Sequence, residues 1–558
     1  MAQPVTITFL GGLGEIGRNC ATLELDGRIV ILDCGQMFPD DRSPGMDSVL
    51  PDFTYLRDNR DRIEACIATH CHEDHIGGLP YLLAELDVPV YGSPFTLGMV
   101  GGKLEAEGLV GDLRAINDGE RHQIGPFECD FVPVTHSTPS GLITAFHTPQ
   151  GVILHSSDFK LDLTPVDGRR TDLSFIGALG HDPGIRLLLC DSTNADVPGQ
   201  SSSETEVGAT LARIITEQVG RRVIVGAFSS HIHRLQQIAD AAIAGGRTVV
   251  PLGFSMQRNM KLAVDLGMLH IADAHLASAD DIEELDPSRT CVICTGSQGE
   301  PRSALTLMGS GENRWISVGP DDTVIFSSHP IPGNEAAVSR TRSALTRRGV
   351  RVVHSGQVDI HTTGHGKQHE LKTLHSVADP EWFVPVHGEY EHLVAHVGLA
   401  RELRMPDDHI VLCEDGDQIV LADDGVAKVG SVPGGHVYVH GIVGHLGDPV
   451  LSERLILGQE GFVAVYVVID PDRRALLAPP RVISRGWIDE TGELLLDEAE
   501  RRCGDAITGA LADGVTDPDE FERLVRRAVG KYVNEVTGRR PMIVPCVDLV
   551  GGRGPSAG

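Results

Sequence analysis

A chain of 558 residues with 41% hydrophobic side chains is too long for one buried core and is expected to fold as two or three domains. Its formal net charge of −31 excludes a surface that binds polyanions everywhere, because phosphate contacts need Lys and Arg, so any nucleic-acid reading must place positive charge locally. With no leader-like start, no apolar run of about 18 residues and eleven Cys without framework spacing, the cytoplasm is the expected location and no membrane partner is expected.

Val5–Leu10 reads as the first strand. Gly12-Leu-Gly-Glu-Ile-Gly17 follows it and satisfies G-x-G-x-x-G, with Asp33 placed as a dinucleotide site would require. Such a site needs a helix after the glycines, whereas Ala21–Asp33 reads as two strands around Asp26-Gly27. The glycines are therefore expected to form a strand-to-strand turn.

The next strand, Ile63–Ala68, runs into His70-Cys71-His72-Glu73-Asp74-His75. Neutral imidazoles and carboxylates at a strand end suit zinc or a similar first-row cation, and an open position leaves room for a reactive water. Two cations can share this loop, with His70 and His72 facing one and Asp74 and His75 the other. Further ligands are expected at other strand ends: His136 after Phe131–Val134, Asp158 after Val152–Leu154 as a bridge between both cations, and His387 after Trp382–Val386.

Pro198–Ser203 reads as a linker, after which helix and strand alternate: a helix from Glu204 through Gln218, strand Val223–Val225, helix Arg234–Ala244, strand Thr248–Leu252 and helix Met256–Leu266. Strands Thr290–Cys294 and Thr323–Ser327 and a helix over Asn334–Arg347 continue the alternation, which predicts a doubly wound α/β insert. Cys291-Val-Ile-Cys294 has no second pair and reads as buried thiols, not a zinc ribbon. The metal-ligand chemistry returns at His365 and His387, so the insert must split the first domain. The expected organisation is a first domain over 1–203 completed by 350–430, an insert over 204–349, a linker over 431–450 and a small α+β domain over 451–558. In that last part strands Phe462–Ile469, Val482–Ile488 and Met542–Leu549 and helices Leu494–Ala512 and Asp519–Val536 are predicted, with Gly551–Gly558 as a disordered end.

These motifs resemble those of the metallo-β-lactamase hydrolases, and later segments narrow the resemblance to the β-CASP nucleases and, within them, the ribonuclease J family. The narrowing segments are Leu187–Asp191, His361-Thr-Thr-Gly-His365, His387-Gly-Glu-Tyr-Glu391, Ala227–Arg234, Ile331–Glu335 and Gly538–Ile543. The resemblance implies a metallo-β-lactamase αββα sandwich split by a β-CASP domain, with a C-terminal α+β domain. It assigns one cation to His70, His72, His136 and Asp158 and another to Asp74, His75, Asp158 and His387, as two Zn²⁺, Mn²⁺ or Mg²⁺ per active site.

The implied activity is 5′-to-3′ exonuclease and endonuclease cleavage of single-stranded RNA, with a 5′-monophosphate preferred, in mRNA decay and rRNA maturation. Homodimers or homotetramers and RNA-decay complexes are the implied assemblies. Candidate catalytic residues are His365, Asp74 and Asp191, with His365 assisting the leaving oxygen and Asp191, Asp33 and Glu389 orienting ligands. The substrate pocket is expected at Ser229, Ser230, His231, His361, Thr362, Thr363, Gly364 and His365, and local positive charge at Arg221, Arg222, Arg234, Arg258 and Lys367.

Two positions depart from the family pattern. Cys71 stands where Gly is common and reads as packing between the ligands, and His445 replaces an Asp that helps hold a structural calcium ion, so that ion is not expected here. A glyoxalase-type hydrolase would not need the insert or His361–His365. A DNA nuclease of the same superfamily and a non-catalytic RNA scaffold are the other readings. The scaffold predicts damaged ligands, and none is damaged.

Overall fold

Alternating apolar positions in the early strands decide the central architecture. Val5, Ile7 and Phe9, with Leu23, Val30 and Leu32, share one core with Phe127, Phe131, Phe146, Ile153, Leu187 and Leu189 from a second sheet. The opposite faces take helices. Ile29, Ile31 and Cys66 pack with Phe95, Val100 and Leu104 of helix Pro94–Ala106. On the other side Val132, Leu154 and Leu188 pack with Leu371 and Leu374 of helix Gln368–Ala378 and Leu399 of helix Tyr390–Glu402. The result is the expected αββα sandwich.

In this computed structural model, which describes residues 2–40, 43–331, 333–441, 444–446, 448–486 and 493–550, the chain forms two units: 1–38 with 48–437, and 39–47 with 438–558. In the first unit, one sheet runs in the order Gly425–Ser431, Asp417–Ala422, Val5–Gly11, Cys20–Leu25, Arg28–Leu32, Ile63–Ala68, Val90–Gly92, Leu113–Ala115. The facing sheet runs Trp382–Val386, Ile185–Asp191, Gly151–His155, Leu142–Thr148, Phe127–Pro133, Arg121–Ile124. Trp382–Val386 pairs in parallel with Ile185–Asp191 although the whole insert separates them in sequence. That pairing brings His387 back to the strand ends that carry the earlier ligands.

The insert is a parallel sheet in the order Thr248–Leu252, Thr290–Cys294, Arg222–Gly226, Asp322–Phe326, Arg351–His354, with helices including Glu204–Thr216 and Ile232–Ala244. Its sheet continues past the expected end at 349, because the short edge strand Arg351–His354 pairs with Asp322–Phe326. Helix Pro94–Ala106 carries Gly98, Gly101 and Gly102, which mask its pattern in the sequence. Gly98 has a steric reason: a Cβ there would lie 2.6 Å from Leu262 of the insert's helix Phe254–Asp265.

The segment expected as a linker over 431–450 instead carries strand His436–His440, which pairs with Gly444–Leu446, and the start of helix Asp448–Glu460. Its Pro and Gly residues mark turns between short elements. In the second unit, Phe462–Asp470 pairs antiparallel with Arg481–Arg485 and parallel with Met542–Leu549. Helices Glu493–Ala512 and Pro518–Thr537 bury Cys503, Ile507, Phe521, Val525 and Val529 with its strands. The side chain of His445, residue Pro332 of the Ile331–Glu335 motif and the end segment 551–558 lie outside the described residues. Among the described residues no helix is long and apolar enough to cross a membrane.

Candidate metal centre

Strand Ile63–Ala68 ends one residue before Thr69 turns the chain into the His70–His75 loop, and backbone bonds pin that loop against the glycine turn and the segment after Asp33. Asn19 N donates to Asp74 O at 2.9 Å and Cys34 N to His75 O at 2.8 Å. Gly35 allows this approach, since a Cβ there would sit 1.6 Å from Asp74 O. Gly12, Gly14 and Gly17 all have positive φ, at +92°, +84° and +128°, and lead into strand Cys20–Leu25, not a helix. The G-x-G-x-x-G run is a turn beside the centre.

The ligand atoms of His70, His72, His136 and Asp158 lie within 4.8 Å of one another, as do those of Asp74, His75, Asp158 and His387. His72 Nδ1 is 3.1 Å from His70 Nε2 and 3.0 Å from His136 Nε2. Zinc–nitrogen bonds in a tetrahedral site put such nitrogens roughly 3.3 Å apart. His387 Nε2 is 3.2 Å from Asp74 Oδ2. Asp158 belongs to both sets.

Its Oδ2 tests the fit of a cation. That oxygen is buried and accepts no hydrogen bond, yet Nε2 of His75, His387, His70, His136 and His365 lie 3.2, 3.5, 3.6, 3.9 and 3.9 Å away. A buried carboxylate oxygen without a partner is costly, and an oxygen ringed by ring nitrogens is satisfied by cations placed among them.

The far side of four of the five ligand rings is anchored. His70 Nδ1 meets Thr69 Oγ1 at 3.1 Å, His75 Nδ1 meets Asp33 Oδ2 at 2.8 Å, His136 Nδ1 meets Gly364 O at 2.7 Å and His387 Nδ1 meets Thr193 Oγ1 at 2.7 Å. Because a carbonyl or carboxylate oxygen only accepts, His75 and His136 carry hydrogen on Nδ1 and present Nε2 inward. Burial holds His70, His72 and His136 below the usual imidazole range, so they are neutral donors. Burial also opposes charge on His75 and His387, but Asp158 and the carboxylates around it outweigh that and raise both. A cation would take the place of those protons.

His365 lies over the pair. Its Nδ1 is 2.8 Å from Asp191 Oδ2, and although burial disfavours its charge, Asp191 and Asp158 pull it up to about 9. Asp191 therefore orients His365, and Thr193 Oγ1 donates to its other oxygen at 2.7 Å while receiving His387. Thr193 is a positioning residue that the motif reading missed. So is Asn19, whose Nδ2 donates to Asp74 O at 3.0 Å and lies 3.1 Å from His75 Nε2.

Several expectations are corrected. Glu389 does not orient a ligand: it is exposed and stands at the N-cap of helix Tyr390–Glu402, where its N–H donates to His392 Nδ1 at 3.2 Å. His231 is buried against Glu204, with Nε2 3.1 Å from Oε1. Thr362 donates to Ser202 O at 3.0 Å, Thr363 Oγ1 receives Asn194 at 2.9 Å, and the Gly364 carbonyl holds His136. His231 and Thr362 are thus structural supports, whereas the bonds of Thr363 and Gly364 use only acceptor oxygens and commit neither the Thr363 hydroxyl hydrogen nor the Gly364 N–H. Ser229 Oγ receives Asn259 at 3.0 Å, neither serine caps helix Ile232–Ala244, and His361 Nδ1 is buried without a partner. Arg221 and Arg222 are tied to Pro320 O and Asp322, and Arg234 is wholly buried, which leaves Arg258 and Lys367 from the expected basic set. Cys71 faces Thr138 Oγ1 at 2.8 Å, and burial pushes its thiol up to about 12, consistent with packing.

Four family models match the chain: metallo-beta-lactamase superfamily over residues 13–185, ribonuclease J beta-CASP domain over 220–345, Zn-dependent metallo-hydrolase RNA specificity domain over 349–411 and ribonuclease J C-terminal domain over 449–548. Ribonuclease J of Mycobacterium tuberculosis is 44% identical over 543 residues, covering 97% of this chain and 96% of the relative. Ribonuclease J of Thermus thermophilus is 38% identical over 556 residues, covering 97% and 95%. A crystal structure of a protein of unknown function from Enterococcus faecalis aligns with TM-score 0.53 at 16% identity, covering 75% of this chain and 100% of that one, and shares the fold. With its ligand positions intact and relatives matched end to end, the chain belongs to the ribonuclease J family, metal-dependent hydrolases that act on RNA.

Proposed function

We propose that the chain is a two-metal ribonuclease that removes nucleotides 5′-to-3′ from single-stranded RNA bearing a 5′-monophosphate and also cuts internally, in mRNA decay and rRNA maturation. The cytoplasm is its place of action, homodimers or homotetramers its working form, and RNA-decay complexes its setting. The observation that carries the two-metal reading is the unpartnered Asp158 Oδ2 among five imidazole nitrogens. One cation would be held by His70, His72, His136 and Asp158, the other by Asp74, His75, Asp158 and His387. Bound zinc, manganese or magnesium would supply Lewis acidity toward water and the phosphoryl oxygens.

The protein's own contribution is geometric and protic. Asp33, Thr69, Thr193 and the Gly364 carbonyl fix the ring orientations from behind, so little reorganisation is needed when charge develops on phosphate. His365 holds a proton at Nε2, with Asp191 on its Nδ1, and gives it to the leaving oxygen. Ser229, Ser230 and His361 anchor the 5′-phosphate. Phe228, beside Ser229, lies 6.4 Å from the His361 ring, and that ring's unpartnered nitrogen supports an anion nearby.

The test uses matched RNA and DNA oligonucleotides, each with and without a 5′-phosphate. Stepwise 5′-to-3′ degradation of phosphorylated RNA, slower on 5′-hydroxyl RNA and absent on DNA, is expected. Equal hydrolysis of DNA would replace this reading with a DNA nuclease.

A further inference from the structure

Behind the strand end that carries Asp191, a second group of ligating side chains is buried away from the centre described above. Cys190 is the next-to-last residue of strand Ile185–Asp191, His375 lies on helix Gln368–Ala378 and His396 on helix Tyr390–Glu402. Their Sγ and ring nitrogens lie within 4.8 Å of one another, and the three residues are 0%, 4% and 0% exposed. The surroundings are apolar. Leu371, Leu374, Phe383, Leu399 and Ala400 share their core, and Phe383 packs edge-on to both rings at 4.5 and 4.7 Å.

The two imidazoles meet nitrogen to nitrogen, His375 Nε2 to His396 Nε2 at 3.1 Å. One of those nitrogens must donate and the other accept. His396 Nδ1 is 3.0 Å from Ser192 Oγ, which itself donates to Cys190 O at 3.2 Å. The Ser192 hydrogen is thus used on that carbonyl, so His396 carries hydrogen on Nδ1 and turns a lone pair on Nε2 toward the group. This is the arrangement of a ligating histidine, with its outer nitrogen fixed by an oxygen and its inner one free to bind.

We propose that Cys190, His375 and His396 form a structural site for one thiophilic d¹⁰ cation, Zn²⁺ or Cu⁺. Thiolate with two imidazoles is the donor set such ions select over Mg²⁺ or Mn²⁺, which prefer oxygen. Binding forms one metal–sulfur and two metal–nitrogen bonds; the Cys190 thiol proton leaves to solvent, and His375, whose hydrogen lies on Nε2 in the ring-to-ring bond, shifts that hydrogen to Nδ1. Zinc bond lengths place sulfur and nitrogen ligands roughly 3.3–3.6 Å apart; the two ring nitrogens, at 3.1 Å, already stand near that spacing, and the sulfur, within 4.8 Å of them, approaches by about 1 Å at most. Burial keeps both histidines neutral, the state a ligand needs. Ser192 N also donates to His387 O at 3.1 Å, so an ion here would stiffen the segment that presents Asp191 and His387.

The experiment is a Co²⁺ titration of the metal-stripped full-length protein, read by absorption. A thiolate-to-cobalt charge-transfer band that saturates with one equivalent is expected, because the candidate catalytic ligands are nitrogen and oxygen only. Occupancy of that other centre by one or two ions does not alter the band. Cys190→Ser should abolish it and lower bound cobalt by one equivalent, while Cys71→Ser should leave it. His375→Gln, which keeps the thiol, should weaken cobalt binding at least tenfold if the serine variant fails to fold. Zn²⁺ and, separately, Cu⁺ should be tested as competitors, and the ion that removes the band at the lower concentration is the occupant. No charge-transfer band in the wild type, a band that survives Cys190→Ser, or a band that neither competitor removes would overturn the proposal.

Discussion

Two buried polar clusters in the first unit differ in how they are closed. At the foot of the insert, Glu204 Oε1 receives His231 at 3.1 Å and Lys160 at 3.3 Å, and its Oε2 receives Arg234 at 2.5 Å. Asp162 receives Thr164 N and Glu204 N, and Arg234 continues to Ser327 Oγ and Ile360 O. In that cluster the oxygens of Glu204 and Asp162 are occupied by side chains and backbone of the chain itself. At the metal centre Asp158 Oδ2 accepts nothing, although five imidazoles face it. Both clusters place carboxylates among nitrogen donors. The closed one joins the insert to the segment carrying Lys160, which bridges to Thr135, whereas the open one leaves a buried acceptor for cations.

The largest effect should come from the open cluster. Asp158→Ala removes a ligand from both sets, and His72→Ala or Asp74→Ala from one, so RNA hydrolysis should fall by about 10³-fold or more while RNA binding persists. Metal analysis should show two ions lost for Asp158→Ala and one for the others. Turnover close to wild type with an ion missing would show that the two sets do not act together.

The closed cluster should respond in stability instead. Glu204→Gln leaves Arg234 and Lys160 buried without their carboxylate and should cost about 3–5 kcal/mol in denaturant unfolding, with metal content unchanged in the folded fraction. Burial works against the Glu204 charge, but His231, Arg234 and Lys160 hold its carboxyl well below the ordinary value of 4.5. Its stabilisation is therefore complete above 4.5 and lost as pH falls toward the folded value, because the unfolded chain takes up the proton first. Wild-type stability should drop on acidification through that window, and Glu204→Gln should lack that part of the drop. Loss of metal without loss of stability would erase the distinction between the clusters.

Asp191→Asn keeps every candidate ligand but removes the charge behind His365, so turnover should fall about 10–100-fold. The alkaline limb of the pH–rate profile should move to lower pH, because Asp191 is what raises His365 most. An unshifted limb would exclude His365 as the proton donor. Ser229→Ala with Ser230→Ala should lower 5′-to-3′ degradation of monophosphorylated RNA about tenfold and leave internal cleavage of 5′-blocked RNA nearly unchanged, since only the first mode needs the end held at a fixed distance. Equal loss of both modes would place the 5′ pocket elsewhere. Cys71→Ala should change activity least, about twofold, and a lost zinc equivalent would make Cys71 a ligand.

Residue type and strand position alone single out the side chains of the candidate centre: His70–His75 packs four of them into one loop, and His136, Asp158 and His387 each close an apolar run. The sequence also determined the split of the sandwich, because ligand chemistry resumes only after the α/β alternation ends. The tertiary structure decided which polar groups remain available. Thr362 and His231 read as substrate donors until the fold sets them against Ser202 and Glu204. Thr193 and Asn19 carry no motif, and they matter because strand pairing sets them against His387 and the His70–His75 loop. A ligand is recognisable by its own chemistry, but a hydroxyl or amide acquires its role from the atom the fold places opposite it.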